Sequence, residues 1–204
     1  LIVQCTVRID KSQELRLTQK PLKIDNKYFA DLKLKYNLMD IDSIWNELSA
    51  LSPSYPMAWA IKRYSRDSCL FIKGCSMPRC FGLIVQKDTS FIILQTSQEV
   101  QSFFAPIETK EEALSYAILV TGNYPQYEFL VPFHYKKYVH KIRSTYSIEK
   151  DNYFEVGLFE YGVCGCGPHI HFSVIVKISK NGEIIETEHK KLYSNPLENG
   201  LCVD

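Results

Sequence analysis

The sequence lacks any long hydrophobic run. A membrane-spanning helix needs about 18 consecutive apolar residues. No stretch of the 204 residues approaches this length, so we expect no transmembrane segment. Charge of one sign is also lacking: 24 Lys and Arg face 23 Asp and Glu, a net charge of +1, so we expect no nucleic acid partner. Glycine and proline number only nine each and no repeat occurs, which excludes a fibrous or disordered chain. We expect one compact domain over residues 1–204, with a subdivision into 1–104 and 105–204 as the alternative.

Cysteine, in contrast, is abundant. The chain has seven, more than a typical cytosolic domain of this size carries, and most of them are clustered. Clustered cysteines indicate bonding partners, either sulfur or metal. We expect three disulfides, and hence a secreted, periplasmic or cell-envelope location; the candidates are Cys69, Cys75, Cys80, Cys164, Cys166 and Cys202. The alternative is that all seven are reduced and buried as small apolar side chains.

The seventh cysteine, Cys5, lies in an opening segment that could be the remainder of a removed signal peptide. We expect Cys5 to be either free or the attachment point of a lipid anchor. Residues 1–36 otherwise contain only short alternating runs, such as Leu15-Arg16-Leu17, and these predict weakly specified extended structure.

The N-terminal half shows one helical pattern and three apolar runs. Apolar residues recur at helical spacing from Ile41 to Leu51, with Asp40 or Asp42 as the N-cap and Pro53 as the stop, and a short second helix is expected within Pro53–Asp67. The runs Cys69–Ile72, Phe81–Gln86 and Phe91–Thr96 predict a small antiparallel meander.

The C-terminal half predicts one helix followed by a curled antiparallel sheet. Thr109 and Glu112 fit a capping box, apolar residues then line one helix face, and Gly122 ends the helix. Four strands are expected after it: Tyr135–Ile148, Tyr153–Tyr161, His169–Ser179 and Ile184–Tyr193. The fold class is therefore α+β, with antiparallel sheets packed on one or two main helices.

Asn181-Gly182 predicts the turn of the last hairpin. A two-residue type I′ turn there pairs Ile178 with Ile185, Val176 with Thr187 and Val174 with His189, on the face that packs against the helix. The opposite face is polar and exposed; it pairs Lys177 with Glu186 and Ser173 with Lys190, and it also carries His169 and His171.

The segment Cys164-Gly165-Cys166-Gly167-Pro168-His169-Ile170-His171 carries the strongest chemical signal. Two imidazoles about 6 to 7 Å apart on one strand face can share an ion, so Cys164, Cys166, His169 and His171 form a candidate zinc or copper site. A four-thiolate zinc site from Cys75, Cys80, Cys164 and Cys166 is a variant of this hypothesis. We favour disulfides, with Cys164 and Cys166 bonded to different partners, because neighbouring strand positions lie too far apart to bond.

A thiol nucleophile is a third hypothesis. Cys166 with His169 as its base is the one local pair that fits, but no Asn or Asp orienter lies nearby and the segment precedes a strand instead of a helix. The basic and aromatic run His134–Arg143 alternates as a strand does, which favours a solvated basic face over a binding patch and places His140 in the core. No catalytic residue is assigned.

The Cys-Gly-Cys-Gly-Pro-His segment, the Thr109–Gly122 helix with its Pro106-Ile107 lead-in, and the closing Asn199–Asp204 segment resemble uncharacterised bacterial secreted proteins and lipoproteins. The resemblance implies a cell-envelope location and no particular activity. A helix followed by an antiparallel sheet is also similar to the cystatin-like and PepSY-like arrangement, and fold alone does not assign function.

The sequence thus predicts a disulfide-stapled, non-catalytic domain that binds a protein or another ligand and needs no cofactor. The alternative from a different class is a zinc- or copper-binding protein, and the third is a cysteine-dependent enzyme. The number of free thiols distinguishes the first from the other two.

Overall fold

The computed structural model describes residues 7–63 and 68–204. Within them the chain forms three α-helices, α1 (Phe29–Tyr36), α2 (Ser97–Phe104) and α3 (Lys110–Thr121), and fourteen strands. The strands are β1 Arg8–Asp10, β2 Asp40–Ser43, β3 Met57–Arg63, β4 Phe71–Lys73, β5 Arg79–Lys87, β6 Ser90–Leu94, β7 Lys136–Lys137, β8 Lys141–Arg143, β9 Tyr146–Glu149, β10 Tyr153–Gly162, β11 Gly165–Cys166, β12 Ile170–Ser179, β13 Ile184–Ser194 and β14 Cys202–Val203.

Two antiparallel sheets carry the fold, which is α+β as predicted. The N-terminal sheet has the order β2-β3-β5-β4, and β6 also pairs with β5. The C-terminal sheet is curled and has the order β7-β13-β12-β10-β9. Two small pairs complete the topology: β1 with β8 in parallel, and β11 with β14 antiparallel.

Helix α3 lies between the two sheets. Its residues from Glu112 to Val120 are all buried, so the helix is covered on every side and not along the single predicted face. The main core around it draws on both halves of the chain: Trp59 and Leu83 belong to the N-terminal sheet, and Val156 and Val176 to the C-terminal sheet. A helix that is apolar all round is stable only when it is enclosed in this way.

Both ends of α3 are set by local sequence, as predicted. The Thr109 hydroxyl accepts a hydrogen bond from the Glu112 amide at 3.1 Å, and the Glu112 carboxylate accepts one from the Glu108 amide at 2.9 Å. Gly122 ends the helix at φ 67°, in the left-handed region that favours glycine. A Cβ atom at Gly122 would also meet the Phe71 ring, so the helix end packs directly on the N-terminal sheet.

The predicted strands β10, β12 and β13 are confirmed, and so is most of the hairpin register. Val174 pairs with His189, Val176 with Thr187 and Lys177 with Glu186. The two-residue turn was wrong: only Gly182 has a positive φ, the Ser179 amide donates to Glu183 O, and Ile178 pairs with Ile184. The loop is therefore three residues long, and a bulge between Lys177 and Ile178 restores the expected register.

Tertiary hydrogen bonds explain this longer loop. The buried Tyr116 hydroxyl of α3 donates to Gly182 O at 2.8 Å, and the Gln101 side chain of α2 donates to Asn181 O at 2.9 Å. Dipeptide chemistry alone favours the tighter turn. Two helices that bind the loop from outside favour the other conformation.

The predicted helix over Ile41–Leu51 is wrong. Residues Asp40–Ser43 form edge strand β2, paired with β3, and only a short 3-10 turn follows at Asn46–Leu48. Ile41 packs on the outer face of the N-terminal sheet, whereas Ile44 and Leu48 reach the main core. The bend between them produces an apolar spacing that imitates a helix.

The second helix predicted within Pro53–Asp67 is absent from the described part of that range, because Met57–Arg63 is the strand β3, and residues 64–67 lie outside the described residues. Its side chains serve two clusters: Met57 and Trp59 face the main core, and Ala58 and Ala60 face the opposite side. Helix α1 covers that opposite side and was not predicted. Its Leu-Lys-Leu-Lys pattern alternates like a strand, but only Leu32 is buried and Leu34 is 84% exposed.

The meander of β4, β5 and β6 is confirmed, whereas the single strand over Tyr135–Ile148 is not. That region divides into β7, β8 and β9. Arg8 donates its amide proton to His140 O, and β8 then pairs with β1, so the chain leaves the sheet edge. His140 is consequently exposed and not a core residue.

Helix α2 was not predicted, although its Thr96–Glu99 capping box is complete. Among the described helices, none has both the length and the apolar character required to cross a membrane. Cys5, with the predicted lipid anchor, lies outside the described residues.

Gly157 of β10 lies under the ring of Tyr146, and an added Cβ atom would overlap that ring. We expect Gly157→Ala to lower the free energy of unfolding by about 1–3 kcal/mol, as overpacking of a core does. Gly200→Ala is the matched control, since an added Cβ there meets no described atom within 4 Å. Urea denaturation measures both, and equal stabilities of the two variants would contradict the packing.

Candidate ligand-binding cleft

The six cysteines that were predicted to bond one another form three disulfides. Cys69 bonds Cys80, Cys75 bonds Cys164, and Cys166 bonds Cys202. The Cα–Cα distances are 5.2, 5.3 and 4.1 Å. Cys164 and Cys166 therefore have different partners, as expected for neighbouring strand positions.

The structure does not assemble the predicted metal site. Both sulfurs of the Cys164, Cys166, His169 and His171 set are in disulfides, and so are those of the four-thiolate variant. In residues 7–63 and 68–204, no group of three or more His, Cys, Asp or Glu side chains could hold a metal ion. The disulfide of Cys166 likewise leaves the nucleophile hypothesis without its thiolate.

The two histidines are not on an exposed face, which corrects the sequence interpretation. His169 precedes β12 and is only 3% exposed. Its Nε2 lies 3.3 Å from Gly165 O, and its Nδ1 lies 3.8 Å from a carboxylate oxygen of Glu198. The chain end covers this histidine, because Glu198 comes from a short 3-10 helix just before the Cys202 disulfide.

His171 lies between two tyrosine rings. Its ring centroid is 4.4 Å from that of Tyr161 and 4.4 Å from that of Tyr193, with interplanar angles of 23° and 25°. Its Nδ1 atom is buried and has no hydrogen-bond partner in the described part of the chain. Burial lowers the pKa of His171, and attraction to Glu198 opposes this only in part.

A cleft of about 530 Å³ opens next to this stack, at the C-terminal end of α3. Its volume is in the range of small-molecule sites. The residues that line it come from β4 and its loop, from the end of α3, and from β10 to β12: Ile72, Lys73, Gly74, Thr121, Gly122, Asn123, Tyr124, Glu160, Tyr161, Gly162, Val163, Cys164, Pro168, Ile170 and Phe172. The two sheets thus supply its opposing walls.

Three hydrogen-bond donors of the cleft wall have no polar partner in the described residues. The Lys73 ammonium lies 4.5 Å from the ring centroid of Trp45 and contacts no carboxylate. Within residues 7–63 and 68–204, neither the side-chain amide of Asn123 nor the Tyr124 hydroxyl makes a hydrogen bond, although the Asn123 backbone amide donates to Thr121 Oγ1 at 3.2 Å. The cleft therefore offers one cation and two neutral donors to a bound molecule.

The surroundings of Lys73 and Tyr124 shift the pKa values of both side chains. Partial desolvation lowers the pKa of Lys73 below its usual range. Burial, with smaller effects of Tyr193, Glu160 and Tyr161, raises the pKa of Tyr124 to about 12, so its hydroxyl keeps its proton at neutral pH. Both groups can donate to an anion under physiological conditions.

Glu160 is the one carboxylate in the described wall, and it is already paired. Its Oε2 lies 2.9 Å from His189 Nδ1 across the sheet. The hydroxyls of Thr121 and Tyr161 are also engaged, because they donate to Ala117 O and to the Glu198 carboxylate. The Glu160 carboxylate and the hydroxyls of Thr121 and Tyr161 are thus engaged within the protein, in contrast to the side-chain polar groups of Lys73, Asn123 and Tyr124.

The Cys75–Cys164 disulfide joins the two walls. Gly74 and Cys164 both line the cleft, and the linked residues are 89 positions apart in the chain. This covalent link limits how far the β4 loop can move from the end of β10. The sequence identified the two cysteines but not Lys73, Asn123, Tyr124 or Glu160. Two positions gave a signal that could have found them: Lys73 lies two residues before Cys75, and Asn123 directly follows the helix-ending Gly122.

The buried His171 makes stability depend on pH. Because the folded-state pKa of His171 lies below the usual histidine value of about 6.5, the unfolded state binds more protons under acid conditions, and stability falls as the pH drops below about 6.5. We expect His171→Phe, which keeps an aromatic ring in the stack, to flatten this part of the curve of unfolding free energy against pH. The exposed His134→Gln variant is the control, and an unchanged slope in His171→Phe would contradict the assignment.

No protein-family model matches the chain, and neither a curated protein nor a solved structure gives a significant match. A role for the cleft therefore follows from its own shape and chemistry.

Proposed function

We propose that this chain is a disulfide-stapled, non-catalytic domain of a secreted or cell-envelope protein, and that it binds a small ligand in the cleft at the end of α3. The observation that carries the proposal is the cleft itself: about 530 Å³ between two disulfide-linked walls, with apolar surface and three unpartnered donors. A few polar groups on a largely apolar concave surface are typical of ligand sites.

The location part of the proposal rests on the disulfides. Three disulfides persist in an oxidising compartment and are rare in the reducing cytosol. The resemblance of the Cys164–His169 and Asn199–Asp204 segments to bacterial secreted proteins and lipoproteins supports the same compartment.

The state of the cleft's reactive groups favours binding over catalysis. Nucleophilic catalysis needs a hydroxyl or thiol hydrogen-bonded to a base. Cys164 is oxidised, and the Thr121 and Tyr161 hydroxyls donate elsewhere than to the Glu160–His189 pair. The groups left available are donors, which recognise and orient a ligand.

The disulfide assignment is tested first, on protein made in an oxidising compartment. Thiol titration under denaturing, non-reducing conditions is expected to find six blocked cysteines, and peptide mapping to find the links Cys69–Cys80, Cys75–Cys164 and Cys166–Cys202. Seven free thiols, or a Cys164–Cys166 link, would remove the covalent basis of the cleft.

Ligand binding is tested with N-phenyl-1-naphthylamine, an uncharged aromatic dye that fluoresces in apolar sites. Ile72 is 47% exposed on the cleft wall, so Ile72→Trp adds bulk to the cleft with little effect on the core. We expect this variant to bind the dye about tenfold more weakly, because the added ring occupies the space of the ligand. Ile185→Trp is the matched control, since Ile185 is 55% exposed on β13 and outside the cleft lining.

Two outcomes would reject the binding proposal: no saturable dye binding to the native protein, or equal affinities of the two tryptophan variants. A Cys75→Ser/Cys164→Ser double variant adds a second measurement. We expect it to weaken dye binding as well, because the walls of the cleft are no longer held at a fixed distance.

A further inference from the structure

The three donors of the cleft differ from its other polar groups. Lys73, Asn123 and Tyr124 come from two separate elements, β4 and the segment after α3, yet they line one cavity. Hydrogen-bonding groups of a folded protein normally find partners within it or in solvent. Asn123 and Tyr124 can each donate or accept, whereas the Lys73 ammonium can only donate, and the single described carboxylate of the wall is already in contact with His189.

An ammonium ion without a polar partner selects an acceptor, and two neighbouring groups that can donate add to that preference. We infer that the ligand is an amphipathic monoanion: a carboxylate-type group accepts hydrogen bonds from Lys73, Asn123 and Tyr124, and an apolar body lies against Ile72 and Phe172. This inference rests on the proposed function, because it names the ligand class of the same cleft.

The charge balance sets the number of negative charges. Lys73 is the one cation in the described wall, and Glu160, held by His189, is its one carboxylate. Lys73 can pair closely with one negative charge. A dianion such as a phosphate monoester would bring a second charge that no other cation of the described wall pairs with and that Glu160 repels. Charge-assisted hydrogen bonds are about twice as strong as neutral ones. Asn123 and Tyr124 then contribute direction, since neutral donors add geometry without further charge.

The surroundings of Lys73 strengthen the expected contact. Its ammonium lies over Trp45 at 4.5 Å and is 5.6 Å from the Phe71 ring centroid, so aromatic rings replace part of its hydration shell. The same desolvation lowers the pKa of Lys73. An ammonium ion that has lost part of its water gains more from an anionic partner than a fully hydrated one does.

The apolar half of the ligand site is equally defined. Ile72 is 47% exposed, and Phe172 lines the opposite wall. Gly162 of β10 lies beside Phe172, and a Cβ atom there would come within 3.1 Å of the Phe172 ring. The absence of a side chain at Gly162 therefore leaves room for the Phe172 ring in the wall.

The test compares two dyes with the same rings. 1-Anilinonaphthalene-8-sulfonate carries one negative charge, and N-phenyl-1-naphthylamine lacks the sulfonate. At neutral pH we expect the anionic dye to bind the native protein about tenfold more tightly than the uncharged one, a typical gain for one charge-assisted contact. Ile72→Trp should weaken the binding of both dyes, which locates them in the cleft.

Variants of Lys73 then identify the anion-binding group. Lys73→Met keeps most of the aliphatic stem over Trp45 and removes the charge, so the two dyes should bind this variant with equal affinity. Lys73→Arg should keep most of the preference. Lys87→Met, a change of an exposed lysine on β5 outside the cleft lining, should keep all of it.

Each outcome has a definite meaning. An unfolding temperature of Lys73→Met equal to that of the native protein shows that the variant folds, and saturable binding of the uncharged dye shows that its cleft still accepts a ligand. If the native protein binds both dyes equally, or if Lys73→Met keeps the preference, the inference about the anion is overturned while the binding proposal stands. If neither dye binds, the proposed function itself fails.

Discussion

The complete enclosure of helix α3 is the constraint on which the other features depend. From Glu112 to Val120 no residue of the helix faces solvent, so apolar surface has to cover it on all sides. One five-stranded sheet covers only one side of a helix, and the second sheet supplies the other. The two halves of the chain therefore share one main core, to which Trp59 and Leu83 contribute from one side and Phe154 and Val176 from the other.

The cleft follows from where that helix stops. Gly122 ends α3 in a left-handed conformation directly against Phe71, while β4 and β10 continue past this point. Two sheets held apart by a helix leave a gap beyond the end of the helix, since nothing of similar width replaces it. The gap is lined by the residues that happen to follow each element, and for this reason Lys73, Asn123 and Tyr124 meet there although no sequence motif joins them.

The features that were predictable from the sequence are those set by near neighbours. The Thr109 cap, the Gly122 stop and the pairing of Val176 with Thr187 depend on residues a few positions apart, and all are present. The errors lie where distant contacts decide. The helical spacing of Ile41, Ile44 and Leu48 arises because the chain bends between two core clusters. The alternating sequence of α1 resembles a strand, but the segment packs on the N-terminal sheet as a helix. His171 was expected in solvent, but Tyr161 and Tyr193 enclose it.

The disulfides were likewise predictable in part from the sequence. Clustering along the chain indicated that the six cysteines would be bonded, but not to which partners, because five cysteines in two clusters and one near the end allow many pairings. Each observed disulfide restrains a different part of the structure. Cys69–Cys80 closes a local loop beside β4, whereas Cys75–Cys164 spans 89 positions and crosses from one sheet to the other. Cys166–Cys202 then fixes the chain end, with Glu198, over the buried His169.

These links act on ligand binding through entropy more than through contact. The cleft walls belong to different sheets, and a ligand that had to draw them together would lose affinity to that ordering. A covalent link at the rim removes most of this loss before the ligand arrives. It does not interfere with recognition, because the oxidised sulfurs carry no charge and the donors of Lys73, Asn123 and Tyr124 remain available. A cysteine-rich segment can therefore line the proposed binding site, and hold its walls together, without supplying groups that recognise the ligand.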